Sequence, residues 1–181
     1  MKQALLLIDI QNDYFAGGKC ELREPLKALS HIGQVLHRFR ESGAAVIHVQ
    51  HIGINEGATA FLPGTQGAEI HERLTPRESE PVVVKHAPSS FYNTNLLELL
   101  RERGITDLVV CGMMSHMCID TTVRACKDHG LKVTLLEDAC ATKDLKFQND
   151  VIPAEMVHRA FMAALNGMFA NVITTQEYLA E

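Results

Sequence analysis

No apolar run in this chain of 181 residues is long enough to mark a signal segment or a membrane span. The longest near the start, Ala4 to Ile8, is broken by Asp9, whereas a signal core takes about 7 to 15 apolar residues and a span about 18. Positive charge is also in short supply. Seventeen Lys plus Arg against 22 Asp plus Glu leave a net charge of −5, with no basic stripe, so neither nucleic acid nor a membrane surface is an expected partner. The cysteines number only five (Cys20, Cys111, Cys118, Cys126, Cys140), an odd count without a C-x-x-C pair. Free thiols in a reducing cytoplasm are the expectation. No G-x-G-x-x-G follows the first apolar run, where the chain reads Asp9-Ile10-Gln11-Asn12-Asp13, and no Walker A run occurs anywhere. Dinucleotide and nucleoside triphosphate binding lose their main support.

What is present is an ordinary folding composition, 46% apolar and 22% charged. With no repeat, linker or composition shift, residues 1–181 read as one domain. Six short apolar or β-prone runs, Ala4 to Asp9, Ala44 to Gln50, Val82 to Lys85, Thr106 to Cys111, Leu131 to Leu136 and Val172 to Thr174, predict strands buried on both faces. Helical spacing predicts helices over Leu26 to Ser42, Asn95 to Arg103, Cys118 to His129 and Ala154 to Met168, with Gly43 and Gly104 as stop signals. Alternating strands and helices imply an α/β fold with a parallel sheet between helices, because parallel neighbours need crossover connections. The long Gly- and Pro-rich segment from Gln50 to Pro81 reads as a functional loop.

In an open parallel sheet the ligand site lies beyond the carboxyl ends of the strands. Strand one closes on Asp9, strand three on Lys85, and strand four on Cys111-Gly112, a short turn before the helix that holds Cys118. A carboxylate, an amine and a thiol are the parts of an activated sulfur nucleophile with its base. Ser115, three residues before Cys118, is placed to cap that helix, which would leave Cys118 in the first turn with its acidity enhanced.

Three motifs in order, Asp9-Ile10-Gln11-Asn12-Asp13-Tyr14-Phe15, Val83-Val84-Lys85 leading to Ser89-Ser90-Phe91, and Cys111-Gly112-Met113-Met114-Ser115-His116-Met117-Cys118, resemble those of the isochorismatase-like cysteine hydrolases. The resemblance extends through Asp138-Ala139-Cys140-Ala141-Thr142, nearly the whole chain. It implies a three-layer α/β/α sandwich with a six-stranded sheet in the order 3-2-1-4-5-6. It also implies an Asp9, Lys85, Cys118 triad, an oxyanion hole from the backbone N–H groups of Met114 and Cys118, and a cis bond between Met113 and Met114. The activity so implied is hydrolysis of a small amide, carbamoyl or lactam-like compound through a thioester, without a cofactor, in a homodimer or larger homo-oligomer.

Around this centre Gln11, Phe15, Phe91 and His116 are candidate substrate contacts. Phe15 and Phe91 would form an apolar wall, and His116 would stand in the turn before the nucleophile. Cys111, Cys126, Cys20 and Cys140 read as structural, the last two in loops. His48 and His51, three apart on a strand, point to opposite faces and read as satisfied histidines, so no metal is expected. Two other activities compete: cleavage of a vinyl ether of the isochorismatase type, and reversible oxidation of Cys118 in a redox sensor.

Overall fold

The computed structural model describes residues 2–180. Its principal sheet has six parallel strands: β1 (Gln3–Ile8), β2 (Ala45–His51), β3 (Val82–Lys85), β4 (Asp107–Met113), β5 (Lys132–Ala141) and, after a short antiparallel hairpin of β6 (Leu145–Phe147) and β7 (Asp150–Ile152), β8 (Asn171–Ile173). The order across the sheet is β3-β2-β1-β4-β5-β8. This is the doubly wound order expected from the sequence, its sixth sheet strand being the eighth in the chain because the hairpin intervenes.

The period-two alternation of β1 explains why both faces are covered. Leu5 and Leu7 enter one core with Val46, Val109 and Cys111, whereas Ala4, Leu6 and Ile8 enter the other with Ile47, Val49 and Val110. The first core is closed by α1 (Pro25–Ser42), which buries Ala28, Leu29, Ile32, Val35, Leu36 and Phe39. Pro25 opens that helix at a position where no N–H is needed, and Gly43 ends it at φ 69°, its N–H on the Phe39 carbonyl. The second core is closed by α2 (Leu96–Glu102), α3 (Asp120–Asp128) and α4 (Ala154–Leu165), which contribute Leu96, Leu100, Val123, Cys126, Met162 and Leu165. A terminal helix, α5 (Thr175–Leu179), is started by a capping box in which Thr174 and Glu177 satisfy each other's backbone N–H groups.

Several local expectations are corrected. The predicted helix over Cys118 to His129 divides into a π-helical turn at Ser115–Ile119 and then α3. Ser115 does not cap it: the N-cap residue is Met114, and Ser115 Oγ is drawn to His158 Nδ1 at 2.8 Å and the Ala141 carbonyl at 3.3 Å. Cys140 lies within β5 and not in a loop, because β5 continues past a register shift that carries the pairing from Val110–Leu135 to Gly112–Cys140.

One polar cluster ties α1 to the strands beneath it. The Glu80 carboxylate receives Arg40 Nε and a terminal Arg40 nitrogen, each at 2.7 Å, His48 Nε2 at 3.0 Å and the Arg77 N–H at 3.0 Å. Burial alone would raise the Glu80 carboxyl, but the bonds from Arg40, Arg77 and His48 overcome it and hold it at about 2. A carboxyl depressed on folding stabilises the protein above its unfolded value and loses that contribution as the pH falls through its folded one. Stability should therefore decline by about 1 to 3 kcal/mol between roughly pH 4.5 and pH 2 through this group. Urea titrations across that window should show the decline blunted in Glu80→Gln; an unchanged slope in that variant would remove Glu80 from the acid response.

Candidate active site

The sequence Gln11-Asn12-Asp13 after β1 organises the long segment between β2 and β3. The Gln11 amide donates to the carbonyls of His51 (2.8 Å) and Ala68 (2.7 Å) and accepts from the His51 N–H (2.8 Å). Asn12 Nδ2 reaches the Gln66 carbonyl at 2.9 Å, and Asp13 accepts from the Phe61 N–H at 2.6 Å and the Lys19 N–H at 3.1 Å. Only a glycine fits at position 67, since a Cβ there would collide with the Asp13 carboxylate. The segment is thus laid over the strand ends by side chains from the first motif. Gln11, expected to touch substrate, has both N–H groups and its oxygen engaged by this segment, which makes it a clamp.

Beneath the segment the three strand ends converge. Asp9 follows β1 in the left-handed region, at φ 52°. Lys85 Nζ lies 2.6 Å from Asp9 Oδ2, 3.2 Å from Cys118 Sγ and 3.0 Å from the Ala87 carbonyl. Three partners exhaust the three N–H bonds of an ammonium, so Lys85 is held in one position. Asp9 and Lys85 are 0% exposed and Cys118 is 7% exposed, so all three are buried. A buried ion pair of this kind keeps its charges only with close partners. Burial alone would lower the Lys85 ammonium, but Asp9 and Cys118 raise it above its ordinary value.

The thiol behaves differently from the sequence expectation. Burial, and then the Asp9 carboxylate, push the Cys118 thiol well above its usual value, against the opposing pull of Lys85. Helix-terminus acidification does not prevail. Burial in this site disfavours the thiolate form of Cys118.

The turn leading to Cys118 leaves β4 through Gly112 at φ 133°, and the Met113–Met114 peptide bond is cis. The Met114 carbonyl accepts from the N–H groups of Met117 (3.0 Å) and Ile119 (3.2 Å), which closes the π turn. His116 Nδ1 lies 2.6 Å from Thr142 Oγ1, and its ring meets Phe161 at 6.0 Å. Phe15 packs on His71 at 4.4 Å and lines a cavity of about 710 Å³ between residues 12–18 and 66–75. Phe91 lays its ring against His129, 4.8 Å away at the end of α3. A second cavity of about 940 Å³ is lined by Arg23, Glu137, Cys140, Thr142 and His158 among others. Neither cavity has Asp9, Lys85 or Cys118 in its wall.

Sequence reasoning passed over Tyr14 and Phe61. The short helical turn Asn12–Tyr14 returns Tyr14 to the site, where burial, then Cys118 and Asp9, raise its phenol well above the usual value. Phe61, at φ 55°, packs its ring at a tilt against Tyr14 at 4.8 Å and meets the edge of His51 at 5.8 Å. The expectation for the two strand histidines holds for His48, bonded to Glu80, but fails for His51, whose Nδ1 is buried without a hydrogen-bond partner. Among the described residues no cluster of three or more His, Cys, Asp and Glu is placed to hold a metal ion, and no helix is long and apolar enough to cross a membrane.

Comparison with known proteins follows this geometry. An isochorismatase domain model matches residues 3–177. The chain belongs to the isochorismatase family. It is 54% identical over 179 residues to the uncharacterized isochorismatase family protein YddQ of Bacillus subtilis, covering 99% of each chain. It is 37% identical over 168 residues to a streptothricin hydrolase of Streptomyces noursei, covering 90% of this chain and 59% of that one. The crystal structure of N-carbamoylsarcosine amidase from Thermoplasma acidophilum superimposes with a TM-score of 0.80 at 25% identity, covering 97% of each chain. The family is hydrolytic, and amide hydrolases are among the relatives.

Proposed function

We infer that the protein hydrolyses a small amide, carbamoyl or lactam-like substrate through a thioester on Cys118. The observation that carries this is the contact of Lys85 with both Asp9 and Cys118, at 2.6 and 3.2 Å, in a buried site. Asp9 takes the thiol proton as Cys118 attacks the carbonyl carbon, and Lys85 steadies the sulfur as its negative charge develops. Backbone N–H groups of Met114 and Cys118 serve the tetrahedral oxyanion. Asp9 then delivers its proton to the departing nitrogen as the C–N bond breaks. Water adds to the thioester, giving its proton to Asp9, and the thiol is regenerated when Asp9 returns it.

The burial of Cys118 supports this assignment over a redox sensor. Sensor cysteines are solvent-accessible, whereas Cys118 is buried. A sulfur nucleophile beside a proton carrier suits acyl transfer from nitrogen better than cleavage of a vinyl ether, which needs no covalent step. The small-molecule substrate and a homo-oligomeric assembly remain parts of this reading, with residues 2–180 acting as one unit.

The test is an ammonia- or amine-release screen over small amides, carbamoyl compounds, ureido acids and lactams, under reducing conditions and with chelator present. Turnover is expected in the wild type and should be lost in Cys118→Ser, whose weaker nucleophile leaves less than about a thousandth of the rate. Release that persists in Cys118→Ser would place the chemistry elsewhere. Activity lost on chelation and restored by a divalent metal would overturn the metal-free scheme.

A further inference from the structure

Buried polar side-chain atoms without a hydrogen-bond partner are few in folded proteins, and each calls for a physical reason. Among the described residues three atoms are in that condition: the two carboxylate oxygens of Asp9 and Nδ1 of His51. The Asp9 oxygens have their reason in the ion pair with Lys85 and in the proton they carry. His51 Nδ1 has none in the scheme above.

His51 is close to that machinery. It ends β2, and its register partner on β3 is Lys85, so the two side chains leave adjacent strands on the same face of the sheet. Its backbone is fixed from both sides by the Gln11 amide, through two bonds of 2.8 Å, and its ring is braced by the edge contact with Phe61. The residue has little freedom to turn its nitrogen toward some other partner. Burial lowers the imidazole, the Lys85 ammonium lowers it further, and Asp9 opposes them only in part. A neutral imidazole keeps one nitrogen as an acceptor, and a donor arriving at Nδ1 selects the tautomer with its lone pair there.

The reacting groups fix what could arrive there. Lys85 bridges Asp9 and Cys118, so a nitrogen that must leave a carbon bonded to Cys118 and receive a proton from Asp9 has to lie over Lys85. His51 is the strand neighbour of that lysine. Asp9 and His51 Nδ1 are both buried, so neither meets a substrate until the groups over the site give way.

We propose that His51 Nδ1 accepts a hydrogen bond from the N–H of the leaving nitrogen and thereby selects substrates with an N–H on the scissile bond over the corresponding esters. The proposal rests on the amide-hydrolysis reading and adds a residue that touches substrate without exchanging a proton. A site built to bond a donor discriminates strongly against an analogue lacking it, because its own polar atom is then left unpaired.

The experiment compares a primary amide from the release screen with the methyl ester of the same acyl group, in wild type, His51→Phe, His51→Leu and His51→Gln, with thermal melts to confirm folding. His51→Phe and His51→Leu are expected to lose about tenfold or more in kcat/KM on the amide and less than about twofold on the ester. His51→Gln, which keeps an acceptor, should recover part of the amide rate. Equal losses on amide and ester, or an amide rate that does not fall, would overturn the role of His51 and leave the amidase reading standing. Failure of the wild type to turn over any amide would overturn both.

Discussion

Asp9→Asn should abolish most of the hydrolytic activity while making the nucleophile more acidic. The two effects oppose each other in any scheme where thiolate content alone sets the rate, which is why the variant is informative. In the wild type the Asp9 carboxylate raises the Cys118 thiol and Lys85 lowers it. Asparagine removes the first influence and leaves the ammonium, 3.2 Å from the sulfur, opposed by burial alone. The thiol should then titrate lower, as read by thiolate ultraviolet absorbance or by the pH dependence of alkylation. Turnover should nonetheless fall by about 10² to 10⁴, or about 3 to 5 kcal/mol, because no group remains to protonate the leaving nitrogen. Single-turnover measurements should locate the loss in acylation of amides, with an activated ester of the same acid less affected since its leaving group needs no proton. An Asp9→Asn protein that retains wild-type amide turnover, or one whose thiol titrates higher, would remove Asp9 from the base and acid role.

The convergence of Asp9, Lys85 and Cys118 was legible because each sits at or just beyond a strand end, and parallel strands all deliver their carboxyl ends to one edge. What periodicity could not report was where hydrogen bonds are spent. Gln11 reads as a free polar group two residues after Asp9, yet its amide is consumed by the β2–β3 segment. Ser115 has the right spacing for a cap, but a turn of π geometry and the nearby His158 claim its hydroxyl elsewhere. His48 and His51 look alike in the sequence. Glu80, thirty-two residues away from His48, satisfies one of them, and nothing among the described residues satisfies Nδ1 of the other. The setting of Cys118 divides in a related way: a helix start favours thiolate, but the burial created by the whole fold disfavours it. The hairpin β6–β7 and helix α5, of three to five residues per element, are too short to leave a periodic signature.

Gly112→Ala should be the most damaging single substitution to the scaffold of the site. Position 112 lies in β4 opposite Ile8 of β1, with φ at 133°, a conformation that residues with a side chain rarely adopt. A Cβ there would lie far inside van der Waals contact with the Ile8 carbonyl oxygen and crowd the Ile8 backbone nitrogen and carbonyl carbon as well. Those neighbours are backbone in the centre of a sheet, so they cannot rotate aside as the end of a flexible side chain would. Backbone strain in this region costs about 1 to 3 kcal/mol, and separating two central strands adds an overpacking cost of similar size. A total of about 3 to 5 kcal/mol is a large part of the usual stability of a domain of this size. The displacement would also act on both sides of the site: Ile8 precedes Asp9, and Gly112 begins the exit that carries Met113, Met114 and the nucleophile turn. Denaturant titration should show a midpoint shifted far down, and any folded fraction at low temperature should have lost turnover beyond the fall in folded population. A wild-type midpoint in Gly112→Ala would mean that β1 and β4 approach less closely than the backbone places them, and would remove close strand packing as the reason for glycine at this position.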